Sequence, residues 1–118
     1  MSDNDQSTIS FTIYGEPASK SNGRRWTGKF LIKSEKALNY SEAFKQQCPV
    51  LSTLMDGDLR VTIKIFYASR RPDLDPSLIY DLMQDRIYKN DRALKEQHLY
   101  WGLDKENPRA EITVEKML

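Results

Sequence analysis

Residues 59–75 read LRVTIKIFYASRRPDLD and contain the strand around which the fold is built. From Leu59 to Ser69, apolar and polar side chains alternate, which is the pattern of a strand with one buried face. The apolar set is Val61, Ile63, Ile65 and Tyr67. The strand leads into a loop with two aspartates, so we predict a core strand that ends beside an acidic segment.

The rest of the chain divides into short elements on either side of this strand. Further strands are predicted at Ile9–Tyr14, Lys29–Lys33, Ala93–Trp101 and Arg109–Lys116. Residues 15–28 contain several glycines and a proline and are predicted to form a loop. Residues 1–8 are polar and are predicted to be a disordered tail, which leaves residues 9–118 as one domain.

Two helices are predicted. The first has Ser34 as its N-cap and runs to about Gln47, before Pro49. The second has Asp75 as its N-cap and Pro76 at its first position. Its apolar face is formed by Leu78, Ile79, Leu82, Met83 and Ile87. The resulting order, β-β-α-β-α-β-β, predicts a single-domain α+β fold in which a small mixed sheet carries both helices on one face.

The composition excludes several classes of protein. The chain has 118 residues, with Cys48 as its one cysteine and His98 as its one histidine. Neither a disulfide framework nor a zinc site built from cysteines or histidines can form within one such chain. No apolar run approaches the ~18–20 residues of a membrane span, and the N-terminus is polar and acidic, unlike a signal peptide. We therefore expect a soluble, cytoplasmic protein with no membrane partner.

The charges are unevenly distributed along the chain. Eighteen Lys and Arg side chains nearly balance seventeen Asp and Glu side chains, for a net charge of +1. Residues 14–45 hold seven basic and three acidic side chains, a net charge of +4, and this segment includes Trp26. Cations with an aromatic ring suit a nucleic-acid backbone and its bases. The alternative is a solvated loop with scattered lysines.

Residues 72–91 form the opposite, acidic segment, with five aspartates against two basic side chains. Asp73 and Asp75 are two residues apart in an extended stretch, so a strand's period of two places both carboxylates on one side. Two such charges repel unless a cation lies between them. Mg²⁺ prefers one or two carboxylates together with waters and a substrate phosphate. Alternatively, Asp75 only caps a helix and Asp73 is an ordinary loop residue.

Three stretches resemble the RusA family of Holliday junction resolvases, which are small endonucleases found largely in phages. Residues 15–24, GEPASKSNGR, are similar to a Gly-x-Pro-x-x-Lys-x-Arg-x-Arg loop after the first strand, with Asn22 in place of the middle Arg. Residues 71–75, RPDLD, are similar to an Arg-x-Asp-Leu-Asp signature at a strand end. Residues 80–91, YDLMQDRIYKND, are similar to a helix that runs into a Tyr-Lys-Asp-Asp stretch. The likeness extends over about residues 11–115.

The resemblance implies a homodimer that cleaves branched DNA with Mg²⁺, or Mn²⁺ in its place. By position, the metal ligands and catalytic residues would be Asp73, Asp75 and Asp91. Asp81 would support those ligands without touching the metal. The predicted DNA contacts are Lys20, Arg24, Arg25, Trp26, Lys29, Arg70, Arg71 and Lys89. Such a protein would act in the cytoplasm of a bacterial host, encoded by a phage or prophage.

The chain also departs from the family pattern. Pro76 stands where the family usually has Asn, and Asn90 replaces the first Asp of the final pair. The catalytic lysine has no counterpart, because Ile79 occupies its position. Lys20, Arg71 or Lys89 could replace its charge. Two alternatives therefore stay open: a branched-DNA-binding protein on the same fold that does not cut, and a phage accessory protein whose aspartates only cap a helix.

The spacing of the aspartates raises a geometric question. If residues 76–87 were one helix of twelve residues, the chain would advance ~18 Å along its axis. Asp91 lies four residues further on, a reach of at most ~14 Å. Asp91 could then rejoin Asp73 and Asp75 only if the helix is bent or starts late, or if the chain doubles back. We therefore hypothesise that the site lies at or near a dimer interface, where the partner subunit can supply the third carboxylate.

Overall fold

The computed structural model describes residues 7–18, 24–27 and 30–117; for residues 24–27 and 30–33 it describes the backbone alone. The elements are β1 (Thr8–Tyr14), β2 (Arg24–Thr27), β3 (Phe30–Lys33), α1 (Glu35–Gln47), β4 (Leu59–Tyr67), α2 (Ser77–Met83), a 3₁₀ turn (Asp91–Ala93), β5 (Leu94–Leu103) and β6 (Arg109–Lys116). A four-stranded mixed sheet and two helices form the small α+β fold that the sequence predicts.

The main sheet has the strand order β1-β6-β4-β5. β6 pairs antiparallel with both β1 and β4, and β4 pairs parallel with β5. As a result β1, β4 and β5 run in the same direction. Their last residues, Tyr14, Tyr67 and Leu103, lie at one end of the sheet, which we call the upper end. The loops that follow these strands therefore start close together.

One face of the sheet carries the core. On β4 the predicted alternation is confirmed, since Val61, Ile63 and Ile65 are fully buried while Lys64 is exposed. Residues of both helices join the same buried cluster, among them Phe44 of α1 and Ile79 of α2. Burying a side chain of this size contributes about 1.5–3 kcal/mol. The predicted placement of both helices on one face is therefore confirmed.

Helix α1 follows its sequence signals. The Ser34 hydroxyl accepts a hydrogen bond from the Ala37 N–H at 3.2 Å, which confirms the predicted N-cap. The helix ends at Gln47, and the Cys48 N–H closes the last turn on the Phe44 carbonyl. Pro49 then prevents continuation, because it has no N–H to donate. The helix places its apolar stripe over β1, against which it packs.

The structure corrects three predicted boundaries near the candidate site. The predicted loop over residues 15–28 contains strand β2, which pairs antiparallel with β3 as a separate ribbon. β1 begins at Thr8, within the segment predicted as a tail, and residues 1–6 lie outside the described residues. Helix α2 begins at Ser77 with Pro76 as its N-cap, so the prediction of Asp75 as N-cap is wrong by one residue.

The largest correction is the length of α2. It ends at Met83 after seven residues, instead of continuing to Ile87. Asp85 has a positive φ of 66°, a left-handed conformation that interrupts a right-handed helix and that aspartate tolerates better than most residues. Ile87 is nonetheless fully buried, and its carbonyl accepts a hydrogen bond from the Met55 N–H at 2.8 Å. It therefore reaches the core from a turn.

Candidate functional site

The upper end of the sheet joins the loop after β1 to the loop after β4. Glu16 is the connection, because one carboxylate oxygen accepts the Ala68 N–H at 2.8 Å and the other accepts the Lys36 ammonium at 3.0 Å. Ala68 is the first residue of the segment 68–76. This segment also holds two arginines, but we call it the acidic loop after its two aspartates. The start of the basic segment is thereby fixed beside the acidic loop.

Two aromatic side chains of the sheet hold the backbone of the acidic loop. The Tyr67 hydroxyl donates to the Asp73 carbonyl at 3.0 Å and accepts the Asp75 N–H at 3.4 Å. The Trp101 indole N–H donates to the Pro72 carbonyl at 3.1 Å. The Tyr67 and Trp101 rings stack, with their centroids 5.9 Å apart. The loop is therefore anchored to β4 and β5 through three backbone groups, those of Pro72, Asp73 and Asp75.

Asp73 and Asp75, which we call the aspartate pair, differ in their surroundings. Leu74 between them packs against the core, as the predicted alternation requires, and Asp73 is exposed. Asp75 is half-buried, and its Oδ1 accepts hydrogen bonds from the N–H and the hydroxyl of Ser77. Asp75 thus supports the first turn of α2, as in the alternative interpretation in which Asp75 caps a helix. Asp73 has no such capping contact among the described residues.

Asp81 and Asp91, which we call the helix-side aspartates, lie around a second tyrosine. The Tyr88 hydroxyl donates to the Tyr80 carbonyl of α2 at 2.7 Å, so the chain after α2 is held along the helix. Burial raises the pKa of this hydroxyl, and the nearby Asp91 and Asp81 carboxylates raise it further. The 3₁₀ turn that begins at Asp91 packs against α2. Both helix-side aspartates are therefore neighbours of one buried hydroxyl.

The structure does not gather all of these carboxylates into one site. In the ranges 7–18 and 34–117, where side chains are described, no three His, Cys, Asp or Glu side chains are placed to hold one metal ion. Asp75 lies just before α2 and Asp81 belongs to α2 itself, whose seven residues span about 10 Å. Asp91 is thus placed beside α2 and is not joined to the aspartate pair.

The short helix also changes the geometric question about Asp91. The expectation that Asp91 comes from a partner subunit assumed a helix of twelve residues, and α2 has seven. After Met83, residues 84–91 return toward the sheet, and eight residues can span up to about 26 Å. That reach exceeds the ~10 Å length of α2. Chain length therefore does not require a partner subunit to supply Asp91, and any dimer must be argued on other grounds.

The predicted DNA-contacting cations fall into two groups. Arg70, Arg71 and Lys89 are exposed, and Lys89 forms an ion pair with Asp85 at 2.9 Å. Arg70 and Arg71 precede the aspartate pair within the acidic loop. Lys20 and Lys29 lie outside the described residues. Arg24, Arg25 and Trp26 form most of β2, and their side chains lie outside the described part.

Three features of the site are absent from the sequence prediction. Glu16 is one of the three acidic side chains of residues 14–45, and its charge alone does not predict that it connects the two loops. Tyr67 belongs to the predicted apolar face of β4 and Trp101 ends a predicted strand, and each also bonds to the acidic loop. The available signal was small: each of the two is an aromatic residue with a polar tip, near the end of a predicted strand. Such a residue needs a partner for that tip when it is buried.

No protein-family model and no curated protein matches this chain. Among the described residues, no helix is long and apolar enough to cross a membrane. Function must therefore be inferred from the chain's own residues.

Proposed function

We propose that this protein is a Mg²⁺-dependent endonuclease of the RusA type, which hydrolyses phosphodiester bonds in four-way junctions or related branched DNA. The observation that carries the proposal is the Glu16 to Ala68 hydrogen bond. It fixes Glu16, near the start of the basic segment, beside the loop that bears the aspartate pair. A nuclease needs these two properties side by side, a grip on the phosphate backbone and a set of hard oxygen ligands.

The donor set suits magnesium chemically. Asp73, Asp75 and Asp91 offer carboxylate oxygens, which Mg²⁺ and Mn²⁺ prefer, and Asp73 is exposed. When bound, such an ion polarises the phosphate and lowers the pKa of a water. In the net reaction the water oxygen forms a bond to phosphorus, one phosphorus–ester oxygen bond breaks, and the proton ends on the leaving oxygen or in solvent. Asp81 would orient the ligands from beside Tyr88.

The exposed arginines of the acidic loop are the proposed phosphate-binding groups of the site. Arg70 and Arg71 lie two or three residues before Asp73, so they are able to bind a phosphate that approaches the aspartate pair. Negative charge that develops on the phosphate during hydrolysis is stabilised by a fixed cation. Lys89 can contribute when DNA displaces it from Asp85, because this surface ion pair is weak.

We propose a homodimer as the active form. Each chain supplies one set of candidate ligands, whereas a four-way junction is two-fold symmetric and needs two nicks to be resolved. A two-fold dimer presents two equivalent sites to such a substrate. A phage or prophage origin and a cytoplasmic site of action belong to the same proposal.

One observation favours a second function, branched-DNA binding without cleavage. Ile79, at the position of the family's catalytic lysine, is fully buried. The cation that would stabilise the transition state is thus missing from the one position where the resemblance expects it. If neither Arg71 nor another cation replaces it, the protein would grip a junction and leave it intact.

Incubation of the full chain with a synthetic four-way junction and with a linear duplex, with and without Mg²⁺, tests the proposal. We expect nicks in the junction only with the metal, and loss of cleavage with retained binding in Asp73→Asn. The matched control is Asp58→Asn, the same change in an exposed aspartate beside the start of β4. Binding that never leads to nicks, with Mg²⁺ or with Mn²⁺, would support the second function. No binding at all would refute both.

A further inference from the structure

Tyr67 is a buried side chain held in place at the upper end of the sheet. It is the last residue of β4 and only 2% of it is exposed. Its backbone pairs with Leu103 on β5, and its carbonyl accepts the Asp104 N–H at 2.8 Å. Its ring stacks on Trp101. The position of its hydroxyl is therefore set by the sheet, independently of the acidic loop that it contacts.

That hydroxyl bridges the backbones of the aspartate pair. It has one proton, which it donates to the Asp73 carbonyl, and its oxygen accepts the Asp75 N–H. The bridge spans both sides of Leu74, whose side chain packs against the core. Residues 73–75 are thus fixed by one phenol and one apolar contact, and neither contact uses a carboxylate oxygen of Asp73 or Asp75.

We propose that Tyr67 is a positioning residue for divalent-metal binding, which holds the backbones of Asp73 and Asp75 so that their carboxylates meet the ion at a fixed spacing. Trp101 supports it through the stacked ring and the bond to Pro72. Two like charges on a free loop would move apart, whereas anchored backbones keep them near each other before the ion arrives. This inference rests on the proposed metal-dependent function.

The test is the substitution Tyr67→Phe, which removes the hydroxyl and keeps the buried ring. We expect the Mg²⁺ concentration for half-maximal junction cleavage to rise about 10-fold or more, as is typical when a group that orients metal ligands is lost. Saturating Mg²⁺ should restore most of the rate. Trp101→Phe keeps a ring and removes the indole N–H, and should shift the Mg²⁺ requirement in the same direction by a smaller factor.

Tyr80→Phe is the matched control. The Tyr80 hydroxyl donates to the Gln97 side chain at 2.9 Å, away from the acidic loop. It should leave the Mg²⁺ requirement unchanged. Thermal unfolding of all variants identifies any loss of fold, and a purely structural role of Tyr67 would lower the melting temperature without shifting the Mg²⁺ requirement.

The outcomes separate this inference from the proposed function. If the wild type cleaves and Tyr67→Phe needs no more Mg²⁺, the positioning role is wrong and the nuclease stands. If the wild type does not cleave, the nuclease is wrong, and Mn²⁺ titration of the wild type and Tyr67→Phe decides the inference. Weaker Mn²⁺ binding in the variant supports it. Equal binding, or none in the wild type, overturns it.

Discussion

Two buried tyrosine hydroxyls organise the two sets of aspartates in different ways. The Tyr67 hydroxyl bonds to the backbone of the aspartate pair itself, so these two residues are held directly by the sheet. The Tyr88 hydroxyl bonds to the Tyr80 carbonyl, so the position of Asp91 depends on how the chain after α2 packs along the helix, whereas Asp81 belongs to α2 itself. The first arrangement holds the backbones of two proposed ligands, and the second holds the part of the chain that carries the third proposed ligand, Asp91.

The difference suggests an order of assembly. The aspartate pair is placed by strands β4 and β5, which belong to the core of the sheet. Asp91 is placed by a seven-residue helix and a turn with a left-handed residue, Asp85. Short helices gain most of their stability from packing and little from their own hydrogen bonds. We therefore expect the aspartate pair to offer the preformed part of a metal site, and Asp91 to complete it when the ion and DNA bind.

The largest expected effects come from the proposed ligands. Asp73→Asn and Asp91→Asn should each reduce Mg²⁺-dependent junction cleavage by at least about 100-fold, because losing a ligand exceeds the 10–100-fold typical of losing a group that orients one. Asp81→Asn should reduce cleavage by only about 10-fold. Single-turnover cleavage measures all three. An Asp81 effect as large as the other two would show that Asp81 acts as a ligand itself and does not merely support the ligands.

The next effect separates the two tyrosines. Tyr88→Phe leaves the Tyr80 carbonyl without its 2.7 Å partner, and should lower the free energy of unfolding by about 1–3 kcal/mol. Tyr88 makes no hydrogen bond to the backbone of the aspartate pair among the described contacts. The Mg²⁺ requirement for cleavage should therefore change less in Tyr88→Phe than in Tyr67→Phe. Denaturant unfolding and Mg²⁺ titration give the two numbers. Equal shifts in the Mg²⁺ requirement would erase the distinction between the two hydroxyls.

A smaller effect is expected from the phosphate-binding cations. Arg71→Ala should weaken binding to four-way junctions and to other DNA alike, and should reduce the slope of log affinity against log salt by about one. The exposed Lys105, in the turn after β5, provides a control substitution with the same loss of charge. Binding measured between about 50 and 200 mM salt checks this. A slope unchanged by Arg71→Ala would remove the acidic loop from the DNA-binding surface.

The smallest effect concerns an ion pair at the upper end that has no proposed role in the chemistry. Arg109 donates to Asp104 at 2.8 Å, and this bond, with backbone N–H groups, lowers the pKa of Asp104 below its ordinary 3.8. The folded state thus favours the carboxylate, so its contribution to stability is present above pH 3.8 and is lost as the pH falls further. Asp104→Asn should lower the melting temperature at pH 7, and the difference should shrink toward pH 2.

The Asp104→Asn variant is also a control for the metal site. Since Asp104 lies in the turn after β5, its substitution should not change the Mg²⁺ requirement for cleavage at neutral pH. A shift there comparable to that of Tyr67→Phe would indicate that any disturbance of the upper end alters the metal site, and would remove the special status of the Tyr67 hydroxyl.

Periodicity in the sequence predicted the framework well. The alternation over β4 and the Ser34 cap of α1 depend on neighbours within a few residues, so local patterns were sufficient. β2 was missed because its residues, RRWT, lie among glycines and become a strand by pairing with β3. The end of α2 was missed because Ile87 falls at helical spacing from Met83, although it reaches the core through the turn at Asp85.

The site was predictable only in part. The aspartates and the basic segment are visible as charge patterns, and their residues were identified from the sequence. Their arrangement depends on contacts between residues far apart in the chain, such as Glu16 with Ala68 and Trp101 with Pro72. No local pattern encodes such contacts, because each requires the strand order β1-β6-β4-β5 to bring the loops to one end of the sheet.

Paramagnetic broadening by Mn²⁺ tests the central claim most directly, that both sets of aspartates serve one divalent ion. In amide spectra of the full chain mixed with an uncleavable four-way junction, substoichiometric Mn²⁺ should broaden the signals of Leu74, Asp75 and Asp91 together. The amides of Gly57 and Asp58, beside two other exposed aspartates, should stay sharp. Broadening of Leu74 and Asp75 without Asp91, or broadening with no preference for these residues, would contradict the account.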